Sequence, residues 1–336
     1  MNPRLYAIAR LAGVNALSRG ITRGSLRILG YHGLWTTPGH AFGDKLFMSP
    51  EQFASRMQWL ARSRYPVIGL DEAVERLARD TLPDCAVVIT IDDGWSSTYT
   101  HMLPVLEALA LPATLYVSTS AVESQAPVLN VVARYLVEAS PLDALACPQM
   151  QIDSVPIATP DARALAVETV NGKLSALTQA EQLAALRALS ACAEIPIEAW
   201  MDSRQFCYLT GGELQDADRR GLDLQLHTHM HVMEREPGAL TAQLEQNRRV
   251  LTRATDRPFH HFCYPSGDHV PGDERELRAF GIKSATLVAQ GLNPPGTNPL
   301  RLRRLLDGRS VGQAQFEAFL SGTTDLVSRA RPRLAA

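Results

Sequence analysis

Two apolar segments that end in metal-binding groups constrain this chain more than anything else in it. Cys85-Ala86-Val87-Val88-Ile89 runs into Thr90-Ile91-Asp92-Asp93-Gly94-Trp95, and Leu222-Asp223-Leu224-Gln225-Leu226 runs into His227-Thr228-His229-Met230-His231. Each reads as a buried strand ending in side chains that can hold a metal. A carboxylate and neutral imidazoles are the ligands of a hydrolytic Zn²⁺ site, with one position left for water. An acidic pair at one strand end meets a histidine cluster at another only if the strands lie side by side. A parallel sheet or barrel does that, and collects function at the carboxyl ends of its strands.

The rest of the chain alternates in the same sense. Leu26–Tyr31 reads as a first strand ending at His32, and Ser49-Pro50-Glu51 opens a helix over Phe53, Met57 and Leu60. Val67–Leu70 is expected as a short strand, with Asp71 capping the helix after it. Further strands are expected at Thr114–Val117, Phe259–Tyr264, Ile282–Val288 and Leu302–Leu306, with helices over 102–109, 211–220, 237–253, 273–280 and 316–320. Roughly seven strand–helix units argue for an α/β fold, a distorted (β/α)7-type barrel. Residues 121–205 break the rhythm. They are Ala- and Leu-rich, with helical spacing at Leu174, Leu177, Leu183, Leu186 and Leu189, and read as a helical insertion with an irregular piece near 148–160. The expected organisation is a helical segment over 1–25, a catalytic domain over 26–325 containing that insertion, and a tail over 326–336.

At 336 residues the chain can bury a full core, and 46% hydrophobic with 20% charged residues is ordinary for a globular protein. A net charge of −2 gives no reason to expect nucleic acid as a partner. Five scattered cysteines without a CxxC read as free thiols. No stretch is apolar and long enough to span a membrane. Near the start, Arg10 interrupts the run Leu5–Ala9, so an amphipathic helix is expected in preference to an export signal. Its apolar residues Leu5, Ile8, Ala12, Leu17 and Ile21 face inward or rest on a membrane surface. The expected location is cytoplasmic or peripheral to a membrane, with export left open. Oligomeric state has no signature.

Adjacent carboxylates with different tasks make chemical sense at Asp92-Asp93: one binds metal, the other takes a proton from water. A capped turn at a strand end is the structural alternative. Among the histidines, His227 and His231 share one face of a helical turn, whereas His227/His229 or His229/His231 share a face of an extended strand. The residues alone leave these pairs open. A leaving group needs an acid, and histidine suits that near neutral pH. His32 is one candidate and His269 a second. Pro265-Ser266-Gly267 makes a tight turn whose N–H groups suit an oxyanion hole. In the cluster Arg301, Arg303, Arg304 and Arg309, one guanidinium is placed to pair with a catalytic Asp and hold it ionised.

Together these residues resemble the polysaccharide deacetylase family, the NodB-homology carbohydrate esterases, over roughly 26–120 and 205–320. Thr90-Ile91-Asp92-Asp93-Gly94 is similar to that family's T-F-D-D-G, and His227-Thr228-His229-Met230-His231 to its H-[ST]-x-x-H. The resemblance selects Asp93, His227 and His231 as ligands and Asp92 as base. Cys263-Tyr264-Pro265-Ser266-Gly267 keeps the Pro and Gly of R-x-P-Y-G but not its Arg and Tyr. The resemblance therefore implies the Ser266 N–H as oxyanion donor and Arg304 as the replacement partner of Asp92. The family's late L-x-H is absent. Tyr31-His32 is similar to the early Tyr-His of the biofilm and exopolysaccharide deacetylases, which makes His32 the implied acid. Tyr31, Trp95, Tyr264, Pro265 and Gly267 are implied as substrate-facing.

What the resemblance implies is a metal-dependent hydrolase removing N-acetyl groups from an amino-sugar polysaccharide. Zn²⁺ is the expected metal, with Co²⁺, Ni²⁺ and Fe²⁺ admitted by the same donors. Two alternatives stand beside it: a deformylase or deacetylase of a lipid-linked sugar, and a glycan-binding protein with a degenerate site.

Overall fold

The computed structural model describes Tyr6 and residues 13–36, 46–196, 198–270 and 272–330. Seven parallel strands form one curled sheet in the order β8-β7-β6-β3-β2-β1-β9. They are β1 (Arg27–Tyr31), β2 (Val87–Ile91), β3 (Thr114–Val117), β6 (Asp223–Leu226), β7 (His261–Cys263), β8 (Ser284–Thr286) and β9 (Leu305–Leu306). Helices connect them, as parallel strands require. One segment links the two edges of the sheet. Leu302 bridges to Thr286 of β8, while Leu305 and Leu306 pair with Leu29 and Gly30 of β1. The expected distorted barrel is therefore present as a half-barrel sheet whose edges are joined by residues 302–306.

Alternation along each strand divides two environments. One face carries Leu29, Tyr31, Ile89, Ile91, Leu115, Val117 and Phe262, all buried in the large core beneath the surrounding helices. The other carries Ile28, Val88, Tyr116, Cys263 and Leu302, packed on Leu70, Ala73 and Leu77 of the helix Leu70–Ala78. Above that plug the inner face turns polar, through Thr90, Thr286 and Arg304, all buried.

Several elements differ from expectation. Val67–Leu70 is not a strand: Val67 makes one bridge to Val87, and Leu70 already begins a helix whose N-cap is Gly69. Asp71 is not the cap; its carboxylate lies 3.3 Å from His261 Nε2 and 3.4 Å from Lys283 Nζ. The piece near 148–160 is not irregular throughout. An antiparallel hairpin of β4 (Ala144–Cys147) and β5 (Ile152–Pro156) occupies it, turning through Gln151 at φ 55°. The hairpin packs among the helices Leu129–Ala139, Pro160–Ser175 and Gln179–Cys192. At the amino end, Val14–Ile21 is helical, but Leu17 (69%) and Ile21 (64%) face outward rather than inward. Leu5, Ile8 and Ala12 lie outside the described residues. The expected tail from 326 begins inside a helix, Thr323–Ala330, and residues 331–336 lie outside the described ones. No described helix is long and apolar enough to cross a membrane.

Candidate active site

At the carboxyl ends of the central strands, β2 delivers Asp92 and Asp93 and β6 delivers His227. The strand β3 lies between them, so two strand spacings, about 10 Å, separate the backbones. A small residue at the end of β3 lets the side chains meet across that gap. Ser118 N–H donates to the Asp93 carbonyl (3.0 Å), and Ser118 Oγ donates to the His227 carbonyl (2.8 Å). Asp93 Oδ1 then lies 3.3 Å from His227 Nε2 and 3.2 Å from His231 Nε2.

The chain takes strained turns to do this. Asp93, Thr228, His231 and Ser266 all adopt positive φ, between 55° and 74°. Such backbone is unfavourable for side-chain-bearing residues, most of all a β-branched threonine, and clusters where function demands it. It folds His231 back over His227, their rings 4.9 Å apart. His229 points elsewhere, its Nδ1 2.9 Å from Thr119 Oγ1. The i, i+4 pair is thus the one that converges.

Each group in this cluster is held by a second bond. His227 Nδ1 faces the Cys263 carbonyl at 2.7 Å, which fixes that nitrogen as the donor and leaves Nε2 with a free lone pair. Trp95 Nε1–H donates to Asp93 Oδ2 at 2.8 Å. Asp93 Oδ1 is buried and accepts no hydrogen bond. A buried carboxylate oxygen without a hydrogen-bond partner, facing the Nε2 atoms of two histidines, is a donor set that fits a divalent cation. Among the described residues a second, overlapping group joins Asp92, His227 and Cys263. There, however, both oxygens of Asp92 are already engaged.

Arg304 engages them. Its Nη1 and Nη2 donate to Asp92 Oδ1 and Oδ2 at 2.7 and 2.8 Å, and Nη1 also reaches Thr90 Oγ1 at 3.0 Å. The guanidinium enters over Gly30, where a Cβ would stand 2.7 Å from Leu306 and 3.3 Å from Arg304 Nη1. Burial pushes the Asp92 carboxyl up, but Arg304 outweighs it and leaves it below the usual range. Burial also opposes ionisation of Asp93, yet the two imidazoles hold it well below that range. Both carboxylates are therefore ionised at neutral pH. His32 Nε2 lies 3.6 Å from Asp92 Oδ2, and its Nδ1 is buried without a hydrogen-bond partner.

These groups open into a cleft of about 920 Å³ that His32, Asp92, Asp93, Trp95, Tyr264 and Ser266 help to line. Ser266 is exposed, and among the described residues its N–H has no partner. Residues 79–140 match a family profile described as polysaccharide deacetylase. A 92-residue stretch is 32% identical to a putative polysaccharide deacetylase, YxkH, of Bacillus subtilis, covering 27% of this chain and 31% of that protein. An 82-residue stretch is 35% identical to the poly-beta-1,6-N-acetyl-D-glucosamine N-deacetylase of Escherichia coli K12, covering 24% of this chain and 12% of that one.

These matches make the chain similar, over part of its length, to polysaccharide deacetylases.

The matches to these curated relatives span less than a third of the relatives' length. Solved structures of deacetylases share the fold of this chain. Streptococcus pyogenes deacetylase PplD in complex with acetate superposes with a TM-score of 0.59 at 15% identity, over 89% of this chain and 99% of that one. IcaB from Ammonifex degensii gives 0.56 at 18% identity, over 88% and 97%.

Not every residue expected at the site lines the cleft. Tyr31 does not: it ends β1 and alternates with His32, the next residue, so its ring turns outward against Phe53 (5.2 Å) and its hydroxyl faces Asp307 at 3.3 Å. Pro265 is buried beneath the turn, and Gly267, at φ 70°, abuts Val288. Trp95 and Tyr264 do line the cleft, but Trp95 spends its polar atom on Asp93 and Tyr264 on the Leu300 carbonyl (3.2 Å). His269 is outside the cleft lining, 3.5 Å from Glu274. Two residues carry no sequence signal of their own. Cys263 accepts from Arg304 Nη2 at 3.1 Å while its carbonyl orients His227. Asn247, wholly buried, accepts from His227 N–H (2.9 Å) and donates to the Val117 carbonyl (2.8 Å) and Thr119 Oγ1 (3.0 Å).

Proposed function

We propose that this cleft hydrolyses the N-acetyl amide of an amino sugar within a polysaccharide. The observation that carries the reading is the division of labour between adjacent carboxylates: Asp92 faces Arg304 and His32, and Asp93 faces two imidazoles. Asp93, His227 and His231 would hold a divalent cation, Zn²⁺ by ligand type, with Co²⁺, Ni²⁺ or Fe²⁺ accepted by the same donors. Bound there, such an ion supplies Lewis acidity, lowering the pKa of a water and polarising the acyl oxygen.

The side chains of the domain then have distinct tasks. Asp92, kept ionised by Arg304, takes the proton of the attacking water; each of its oxygens keeps a second lone pair that the guanidinium does not take. The Ser266 N–H meets the negative charge that develops on the acyl oxygen. His32 Nε2, beside Asp92, passes a proton to the sugar nitrogen as the C–N bond breaks, releasing a free amine and acetate. The poly-N-acetylglucosamine deacetylase among the relatives supports a polymer of this type as substrate.

The test compares wild type with Asp92→Asn for metal content and acetate release, on acetylated and formylated amino-sugar oligomers. Asn keeps the size of Asp but takes no proton. One metal per chain in both, with release only by wild type, is the expected result. Bound metal without release from either would favour a glycan-binding protein. No metal in either would remove the ligand assignment.

A further inference from the structure

The cleft extends well beyond the reacting groups, and its extension is built for hydrocarbon. From Ser118 and Ala121 it runs along Ala126, Pro127, Val128, Leu129 and Val131, at the start of the inserted helices. Met230, Val232 and Val288 stand at the same cleft; they are among the few large apolar side chains of the described residues that are strongly exposed. Of the polar groups there, Ser118 Oγ donates to the His227 carbonyl and Gln182 spends its amide on the Leu174 carbonyl, while Ser120 is half-buried and Ser124 and Asn130 are solvent-exposed. A sugar chain laid along this arm would bury hydroxyls against aliphatic carbon, at about 1–3 kcal/mol for each unmet hydrogen bond. Nor, among the described residues, do aromatic platforms line the arm; the described Phe, Trp and Tyr residues of the cleft are Phe47, Trp95, Tyr208 and Tyr264. No Arg or Lys among the described residues lines the cleft, so none of the described guanidinium or ammonium groups there meets a phosphate or diphosphate linking a sugar to a lipid.

We propose that the site also hydrolyses amides whose acyl chain is longer than acetyl, the chain lying along Ala126–Leu129 and Val131. This rests on the hydrolase reading above and widens only the acyl group that it accepts. Water adds to the acyl carbon, the C–N bond breaks, and the products are a free amino sugar and a fatty acid. The chain, unlike a glycan, leaves no polar group unsatisfied along the arm, and each methylene buried there adds to binding.

The experiment measures amine release by the metal-loaded protein from N-acyl glucosamines with two, four, six and eight carbons in the acyl chain. Methyl and octyl glycosides of N-acetylglucosamine run in parallel. The expected result is a kcat/KM that rises two- to fourfold per added methylene, with no gain from the octyl glycoside. Val131→Gln, checked for folding by circular dichroism, should flatten the acyl series. Calorimetry on metal-free protein gives a readout independent of turnover: N-octanoylglucosamine should bind at least tenfold tighter than the N-acetyl compound. A rate that peaks at acetyl overturns the acyl arm and leaves the deacetylase reading standing. A gain confined to the octyl glycoside also overturns it, by placing hydrocarbon on the other side of the sugar. No release from any compound, with metal bound, overturns the hydrolase reading, while the calorimetric series still decides the arm.

Discussion

Arg304 grips both oxygens of Asp92 at 2.7 and 2.8 Å, although 212 residues separate them in the chain. The contact exists because Arg304 lies between the two pairings that join the edges of the sheet, Leu302 to β8 and Leu305 to β1. The same segment that joins the sheet edges therefore sets the charge state of the residue assigned as base.

Arg304→Gln should move that charge state in a defined direction. Burial already pushes the Asp92 carboxyl up, and the guanidinium is the strongest opposing influence. Removing it raises the pKa, so the base stays protonated to higher pH and the acid limb of kcat/KM shifts upward. Breaking a buried pair from one side also costs about 3–5 kcal/mol of stability. A pH–rate profile with an unmoved acid limb would remove Arg304 from the mechanism.

Arg304→Lys is a sharper test of geometry. An ammonium spans one oxygen at a time and cannot reproduce the fork. Activity should fall while the acid limb stays nearer to wild type than in Arg304→Gln, because the charge remains. Equal shifts in both variants would mean that charge alone matters.

Trp95→Phe should weaken metal binding without abolishing it. The indole N–H fixes Asp93 Oδ2 while Oδ1 faces the imidazoles. Loss of such a supporting bond typically lowers metal affinity 10- to 100-fold. The ring itself packs on Phe47 and Tyr208, with centroids 5.1 and 4.8 Å away, and phenylalanine keeps most of that contact. Competition with a chromophoric chelator measures the change; unaltered affinity would show that Asp93 needs no second bond.

How much of this was legible in the sequence follows from where each contact originates. Asp92-Asp93 and His227–His231 could be read because each pair is local and follows an apolar run with strand length. Their meeting across Ser118 could not, since it depends on β3 lying between β2 and β6. Tyr31 and His32 are adjacent in sequence, and the pair alone does not say which of the two faces the cleft. Alternation sends one of two adjacent strand residues to each face, and the core took Tyr31. The hairpin at 144–156 was hidden by short strands with little alternation, and its turn hangs on Gln151 in a left-handed conformation that glutamine does not advertise. Asn247 sits in mid-helix, where an amide ordinarily faces solvent. Only the tertiary packing shows that it fastens His227 to the end of β3.

Asp307 gives a stability prediction of definite sign. It is buried on β1's outer flank, where Arg56 Nε lies 3.1 Å and the Tyr31 hydroxyl 3.3 Å from its Oδ2. Burial pushes its carboxyl up to about 6 from 3.8, outweighing the pull of Arg56. The folded state thus holds a proton that the unfolded chain releases near pH 4, and stability falls as pH rises between these values. A shift of this size corresponds to about 2–3 kcal/mol, fully present below pH 4 and lost by pH 7. Asn at this position offers Arg56 and Tyr31 the same neutral carbonyl at every pH. Asp307→Asn should therefore gain about 2–3 kcal/mol relative to wild type between pH 4 and pH 7.5, measured as the difference in urea unfolding free energy. A difference that stays constant across that range would show that Arg56 keeps Asp307 ionised throughout.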